Sequence, residues 1–457
     1  MPSADTLFGA SKKVFAHYFP PFPLSIDNRA SAQDYYNTQY LNPHGESNKW
    51  VSEGGYLRQR PLGVTPGNVA TFREANMETE VRMAIARGIT GFTFDVMSTS
   101  DVTESDGVLN VMLQAAQKVD SRFKIVAMPD MTVLQNNADA VVQIITAVSK
   151  SPAAARLADG SLVVSAFDAG LESASFWQGV LSRLSAAGIK TAFVPTFLGW
   201  TNYAAAFSSF SYGFADWGTA TVSGSDYFLG TPAAATSKFD KIFMMPVDPQ
   251  QYRPKDYIFW EAGNSGAFRA AWTSAIQGSS EWVQAVTWND FSESSQTEPY
   301  TDTTLNRRIG TGFYNLSGYY AAWFLTGHQP QITHDVLYYF YRREPSNAAA
   351  NAQAQGDAVR SSTASDHIEL LAFLTAPGVL KIEINGQTYT EDAPAGVVSY
   401  TIPTQPGTPV FTLSRSGADV FSFASDVQIY GASGLPSGTM DLTYWSGSAA
   451  ASGLCSL

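Results

Sequence analysis

Short apolar runs, each followed by a stretch with helical spacing, recur through the first three-quarters of this chain. Val14–Phe19 (VFAHYF), Gly91–Met97 (GFTFDVM), Lys124–Pro129 (KIVAMP), Leu162–Phe167 (LVVSAF) and Thr191–Pro195 (TAFVP) read as strands. So do Gly213–Trp217 (GFADW), Lys241–Pro246 (KIFMMP) and Trp282–Trp288 (WVQAVTW). Between them, apolar residues fall on one helical face, as Val141, Ile144, Ile145 and Val148 do within Ala138–Ser149. Further helices are expected over Glu78–Arg87, Val108–Val119, Phe176–Ala187, Gly266–Ile276 and Gly312–Leu325. Buried strands alternating with helices make a parallel sheet. About eight such units, with no G-x-G-x-x-G turn after the first strand, favour a closed (β/α)8 barrel over a dinucleotide-binding sheet.

The pattern changes near Ser346. NAAANAQAQG (Asn347–Gly356) reads as a linker. Beyond it, His367–Leu374, Val379–Ile384, Val397–Ile402, Val410–Ser414 and Val427–Tyr430 are short branched or aromatic runs separated by turn signals. The expected organisation is a catalytic-type barrel over residues 1–345, a linker over 346–356 and a smaller β-sandwich over 357–457. The aromatic run from Asn315 to Tyr339 suggests a close apolar contact between the two parts.

Composition narrows the ligand. Only 15% of residues are charged, whereas 13% are aromatic. That balance suits a neutral, polar partner whose rings present apolar C–H faces to Trp and Tyr, as sugars do. A net charge of −12 argues against nucleic acid and anionic membranes, both of which call for basic patches. No apolar run is long enough to span a bilayer. The single cysteine, Cys455, allows no internal disulfide, and the five histidines include no helical i, i+4 pair. Neither a metal nor an organic cofactor is therefore expected. Met1–Lys13 lacks the apolar core of a signal peptide, which fits a secreted chain whose signal has been removed, or a cytoplasmic one. The sequence leaves oligomeric state open.

In a parallel barrel the chemistry sits at the C-terminal ends of the strands. Asp95, Asp130, Asp168, Asp216 and Asp248 all fall there, and the last strand ends in Trp288-Asn289-Asp290-Phe291-Ser292-Glu293. Any one Asp at a strand end is by default a loop cap. As a ring with few balancing bases, these carboxylates call for a ligand or shared protons. Asp290 and Glu293 lie three residues apart, and glycoside cleavage needs two carboxyl groups. Spacing alone also fits a loop carboxylate followed by a helix-start charge.

A resemblance shifts that balance. AVTWNDFSES (Ala285–Ser294) resembles the V-T-W-N-D-Y-G-E-S signature of glycoside hydrolase family 71, the α-1,3-glucanases or mutanases. VFAHYF (Val14–Phe19), ARGITGFTFDV (Ala86–Val96), FVPTF (Phe193–Phe197) and DWG (Asp216–Gly218) resemble further family segments in the same order. The likeness spans roughly Lys12 to Gly327, the barrel without the β-rich tail. It implies an inverting hydrolase that cleaves α-1,3-glucan internally, with a polysaccharide as its partner. Asp290 and Glu293 would be the catalytic pair, with Glu293 as acid and Asp290 as base, or the reverse. His17, Tyr18, Asp95, Asp130, Asp168, Asp216, Trp217, Trp288 and Asn289 are expected around the substrate. Three features depart from the family pattern: the long Pro20–Thr71 segment, Asp95 at an Asn-like position, and Ser292 in place of Gly. They leave open a glycosidase acting on another neutral polysaccharide, or a non-catalytic glycan-binding barrel.

Overall fold

The computed structural model describes residues 2–301, 308–348, 355–356, 364–435, 437–451 and 453–454; among these, the side chains of 226, 227, 308, 309, 355, 356, 453 and 454 are not described. Most of the expected linker and Cys455 lie outside these residues.

Eight parallel strands form the barrel: β1 (Lys13–Tyr18), β2 (Gly91–Val96), β3 (Lys124–Pro129), β4 (Leu162–Val164), β5 (Thr191–Phe193 and Thr196–Phe197), β6 (Gly213–Asp216), β7 (Ile242–Val247) and β8 (Trp282–Ala285). They pair in the order β5–β4–β3–β2–β1–β8–β7–β6–β5. The sheet closes because the two halves of β5 face opposite neighbours. Val194 N and Thr196 N donate to Val164 and Ala166 of the β4 segment, at 2.8 and 3.1 Å. On the other side, Pro195 O and Phe197 O accept from Ala215 and Trp217 of the β6 segment, both at 2.9 Å. Pro195 has no N–H to give, so a strand interrupted there loses no donor.

Helices cover the outside. Phe72–Ile85 and Val108–Val119 pack on each other over the β2 and β3 side. Their apolar stripes join one core with the outward residues of the strands, including Val81, Met112, Phe92 and Ile125. Inward residues Phe15, Val126, Val163, Val194, Ala215 and Met244 make a separate plug inside the barrel. The interior is therefore filled, and a ligand can be met only at the mouth.

The C-terminal part is a β-sandwich. A five-stranded sheet is built on His367–Leu374 and Tyr444–Ala450, and a four-stranded sheet on Gly378–Ile384 and Val410–Arg415. Leu370 and Ala372 from the first share a core with Ile382, Phe411 and Leu413 from the second. Val336–Arg342 is the central strand of the five-stranded sheet, paired with both Tyr444–Ala450 and His367–Leu374. A boundary at residue 345 would remove that strand, so the sandwich begins earlier than the composition change suggests. Val427–Tyr430, expected as a strand, makes only an isolated bridge between Ile429 and Gly407. Strands at Gln387–Ala393 and Ala418–Ala424 were not anticipated, because their polar outer faces hide the alternation. Helix Gly312–Thr326 lies against the sheet through Phe313 on Phe340 and Tyr319 on Phe373, each pair 4.8 Å between ring centres.

Candidate active site

β8 runs into a tight loop that carries both expected carboxylates. Thr287 Oγ1 accepts from Asp290 N at 2.7 Å and fixes the start of that loop. Asp290 then turns back on the loop. Its Oδ1 accepts from Ser292 N at 2.9 Å, from Ser292 Oγ at 2.7 Å and from Glu293 N at 3.2 Å. Oδ2 accepts nothing from the described residues. Burial raises the Asp290 pKa, while the Ser292 and Glu293 donors and the Arg253 charge pull it down.

Glu293 stands beside it with a side chain 19% exposed. The hairpin formed by Gln251–Arg253 and Ile258–Trp260, which follows β7, holds it. Gln251 Nε2 donates to Oε2 at 2.7 Å, Arg253 Nη2 lies 2.6 Å from Oε1, and Tyr252 N donates to the Glu293 carbonyl at 2.7 Å. Burial first, and the Asp290 charge second, push the Glu293 pKa up to about 7 against the pull of Arg253. Environment thus separates two neighbouring carboxyls: one anchored by donors that favour the anion, the other close to neutral pH.

Other expected residues gather at the same mouth. Burial pushes Asp95 well up, helped by the charges of Asp130 and Asp290. Its Oδ2 lies 4.0 Å from His17 Nε2, and its Oδ1 has no hydrogen-bond partner among the described residues. His17 is buried against the Trp217 ring at 4.8 Å, and burial lowers its pKa to about 3. It is therefore a neutral imidazole, with Nδ1 unpartnered among the described residues. Asp130 Oδ1 caps Thr132 through its N–H at 2.8 Å and its hydroxyl at 2.7 Å. Asp168 sits in the left-handed region at φ 44° beside Asp130. Asp216 Oδ2 accepts from Gly199 N and Trp200 N at 3.0 and 2.6 Å, and its Oδ1 from Gly218 N at 3.1 Å. Gly218, at φ 86°, lets this loop pass where a Cβ would meet Asp248 Oδ2 at 2.6 Å.

Three expected contacts are corrected. Tyr18 follows His17 on β1, so its side chain points to the opposite face. It is fully buried between Phe92 and Phe94, with its hydroxyl on Glu80 at 2.9 Å. Trp288 is likewise fully buried, 5.5 Å from Phe92 and 6.3 Å from Tyr314. Asn289 is a clamp: Oδ1 accepts from Phe19 N at 2.7 Å, and Nδ2 donates to Phe19 O and Phe22 O at 3.0 and 2.9 Å. It ties the last strand to the first loop and has no surface left for a glycan.

A cleft of about 680 Å³ opens beside the pair, lined by Leu198, Asp216, Trp217, Gln251, Arg253 and Trp260 among others. Gln251 and Arg253 were not anticipated, and no local signal marks them, since they reach Glu293 across about forty residues of chain. Its size and mixed aromatic and polar lining suit a sugar-sized ligand.

The model of glycosyl hydrolase family 71 matches residues 65–456. The chain belongs to this family. The match runs through the β-rich tail, which corrects the expectation that the likeness stops with the barrel. This family 71 chain is 25% identical over 387 residues to glucan endo-1,3-alpha-glucosidase agn1 of Schizosaccharomyces pombe, covering 78% of this chain and 87% of that protein. It is 22% identical over 371 residues to the ascus wall endo-1,3-alpha-glucanase of the same yeast, covering 74% and 83%. A mutanase of Penicillium rubens is 24% identical over 195 residues, covering 40% and 43%. The fold is similar to that of the GH99 endo-alpha-mannosidase from Bacteroides thetaiotaomicron, with a TM-score of 0.51 at 14% identity, covering 68% of this chain and 97% of that one. The family 71 chain is a glycoside hydrolase, and no helix among its described residues is long and apolar enough to cross a membrane.

Proposed function

We propose that this glycoside hydrolase cleaves α-1,3-glucan internally and with inversion, Glu293 acting as general acid and Asp290 as general base. The observation that carries the assignment is the contrast between the two carboxyls. Asp290 has one oxygen held by three donors and the other free, as a base needs. Glu293 holds its proton up to about pH 7, as an acid needs. In the step proposed, water attacks the anomeric carbon and gives a proton to Asp290 Oδ2. The bond to the glycosidic oxygen breaks, and that oxygen takes the Glu293 proton. His17, Asp95 and Trp217 contact the sugar on the side of the attacking water, where unpartnered polar atoms meet an aromatic ring.

The linkage and the internal cut are supported by the printed activities of the yeast relatives. A relative that acts on the ascus wall also supports secretion and an insoluble wall polysaccharide as the partner. A second reading, another neutral polysaccharide, draws support from the first long segment, most of which precedes the matched residues 65–456.

The test is product analysis on a panel of α- and β-glucans and mannans, with proton NMR of the first products. Soluble oligosaccharides from α-1,3-glucan that appear as β-anomers support the proposal. Release from a different polymer only would overturn the linkage, and initial α-anomers would overturn inversion.

A further inference from the structure

Trp217 divides the mouth of the barrel into two halves. Its ring meets His17 of β1 at 4.8 Å and Phe167, just beyond β4, at 4.7 Å. Asp95 and Asp130 stand in that half, and the Asp290 charge acts on Asp95 there. Trp217 also lines the cleft of about 680 Å³. The described residues that line this cleft come from the end of β6 and from the segments after β5, β6 and β7, and none comes from β1–β4 or the loops that follow them. Asp216 braces two of its walls. Oδ2 accepts from Gly199 N and Trp200 N after β5, and Oδ1 accepts from Gly218 N after β6. The third wall is the hairpin after β7. Its Gln251 and Arg253 side chains reach Glu293 and also line the cleft, and the Arg253 guanidinium lies 5.3 Å from the centre of the Trp260 ring. Leu198 stands at the rim with 52% of its surface exposed, and Thr219 and Ser223 share the lining with it. An exposed apolar side chain among hydroxyls matches the C–H face and hydroxyl edge of a sugar.

We propose that this cleft takes the sugars on the reducing-end side of the scissile bond, the part of the chain that leaves, and that Leu198 is a contact for them that sets where the chain is cut. This rests on the reading of Glu293 as acid. The acid gives its proton to the glycosidic oxygen, and that oxygen departs with the sugars on its reducing-end side. In an inverting reaction the water attacks from the opposite face of the ring, so the departing sugar lies by the acid and away from the base. The cleft adjoins Glu293 through Gln251 and Arg253, whereas Asp290 acts on the half that holds Asp95. The glucan therefore crosses the mouth in one direction. Its non-reducing end lies over β1–β4, its reducing end lies over β5–β7, and Trp217 stands at the crossing.

The experiment maps the cut in wild type, Leu198→Ala and Leu198→Trp. The substrates are α-1,3-gluco-oligosaccharides, or those of whichever polymer the product panel identifies, with a heavy oxygen isotope at the reducing end. Products are weighed by mass spectrometry. Leu198 is at the rim, so both variants should melt as wild type does. At a fixed oligosaccharide length, Leu198→Ala weakens the hold on the reducing-end side, and the labelled product should become shorter. The ratio of the main cuts should change by roughly threefold or more, the scale of one lost apolar contact. Leu198→Trp offers a larger apolar face and should lengthen the labelled product. A merely structural role for Leu198 would slow every cut alike and leave the ratio unmoved. An unmoved ratio in both variants overturns the proposal. Shifts in the opposite directions also overturn it, and place the non-reducing end in the cleft. Glu293→Gln on a glucosyl fluoride runs beside them. If it recovers its rate while the ratio stays put, the acid reading stands and the cleft assignment alone fails. If it does not recover while the ratio shifts as expected, the cleft keeps its assignment and the acid reading fails.

Discussion

The side-chain amide of Gln250 pairs with the backbone of Tyr444 as a neighbouring strand would: Oε1 accepts from Tyr444 N at 2.7 Å, and Nε2 donates to Tyr444 O at 3.1 Å. Both residues are buried, and Gln250 immediately precedes the hairpin that grips Glu293. Tyr252 of the same hairpin donates from its hydroxyl to Met440 O at 3.2 Å, and Thr443 meets Ser294 of the catalytic loop at 3.3 Å. The sandwich therefore backs the hairpin and the loop that hold Glu293, the proposed acid. Gln250→Ala removes the acceptor of the buried Tyr444 N–H, at a cost of about 1–3 kcal/mol, and leaves the Tyr444 carbonyl only the longer bond from Gln59 Nε2 at 3.4 Å. It should lower the melting temperature and also lower kcat at saturating substrate. A variant with an unchanged melting curve and unchanged kcat would show that this contact supports neither fold nor acid.

Asp290→Asn and Glu293→Gln should each lose at least about 10²-fold on glucan, because each removes a group proposed to move a proton in glycosidic cleavage. They should differ on a glucosyl fluoride, whose leaving group needs no protonation. There Glu293→Gln should recover most of its rate, and Asp290→Asn should not. The opposite pattern would exchange the two roles.

Arg253 sits 2.6 Å from Glu293 and opposes the upward push of burial. Removing its charge leaves the Glu293 anion less favoured, so the pKa rises above about 7. An acid is active while protonated, so the basic limb of kcat/KM should move to higher pH in Arg253→Gln. A move to lower pH would contradict the electrostatic role of the hairpin. KM should change as well, since Arg253 also lines the cleft.

Glu80 and Glu298 are both fully buried beneath the motif, with the Tyr18 hydroxyl donating to Glu80 Oε2 at 2.9 Å. Burial pushes Glu80 up to about 8 and Glu298 well above its usual range, the latter further raised by the Glu80 charge. In the unfolded chain both ionise near pH 4.3. Between that pH and about 8 the folded protein holds protons that the unfolded chain has released. Stability is therefore fullest below the unfolded value and falls as pH rises through the folded one. Glu80→Gln stays neutral throughout, so it should melt higher than wild type at pH 8 and close to it at pH 5. Parallel melting-temperature curves for the two proteins would show that the pair is not protonated when folded.

Much of the barrel was legible because buried parallel strands are written as uninterrupted apolar runs: KIVAMP is the strand Lys124–Pro129 and GFTFDV the strand Gly91–Val96. The WNDFSES loop was legible because its carboxylates are local in sequence. What side a residue faces was harder. His17 and Tyr18 read alike next to a strand end, yet alternation sends one to the mouth and the other to Glu80. Val336–Arg342 gave no domain signal, since its partners Tyr444–Ala450 lie about a hundred residues on. Gln251 and Arg253 were missed for the same reason: each reaches Glu293 from a distant loop, and a single sequence carries no trace of such contacts.

The carboxyls at the barrel mouth also decide what cannot pass. Burial already disfavours the anions of Asp95 and Asp248, and each is pushed further by acidic neighbours. A uronate- or sulfate-bearing chain entering this mouth would bring one more negative charge within a few ångströms, well inside the screening length of about 8–10 Å. It would raise the pKa of Asp290, the proposed base, as well. An acidic polysaccharide should therefore be a poorer substrate than an uncharged one, since its own charge would favour the protonated form of the proposed base.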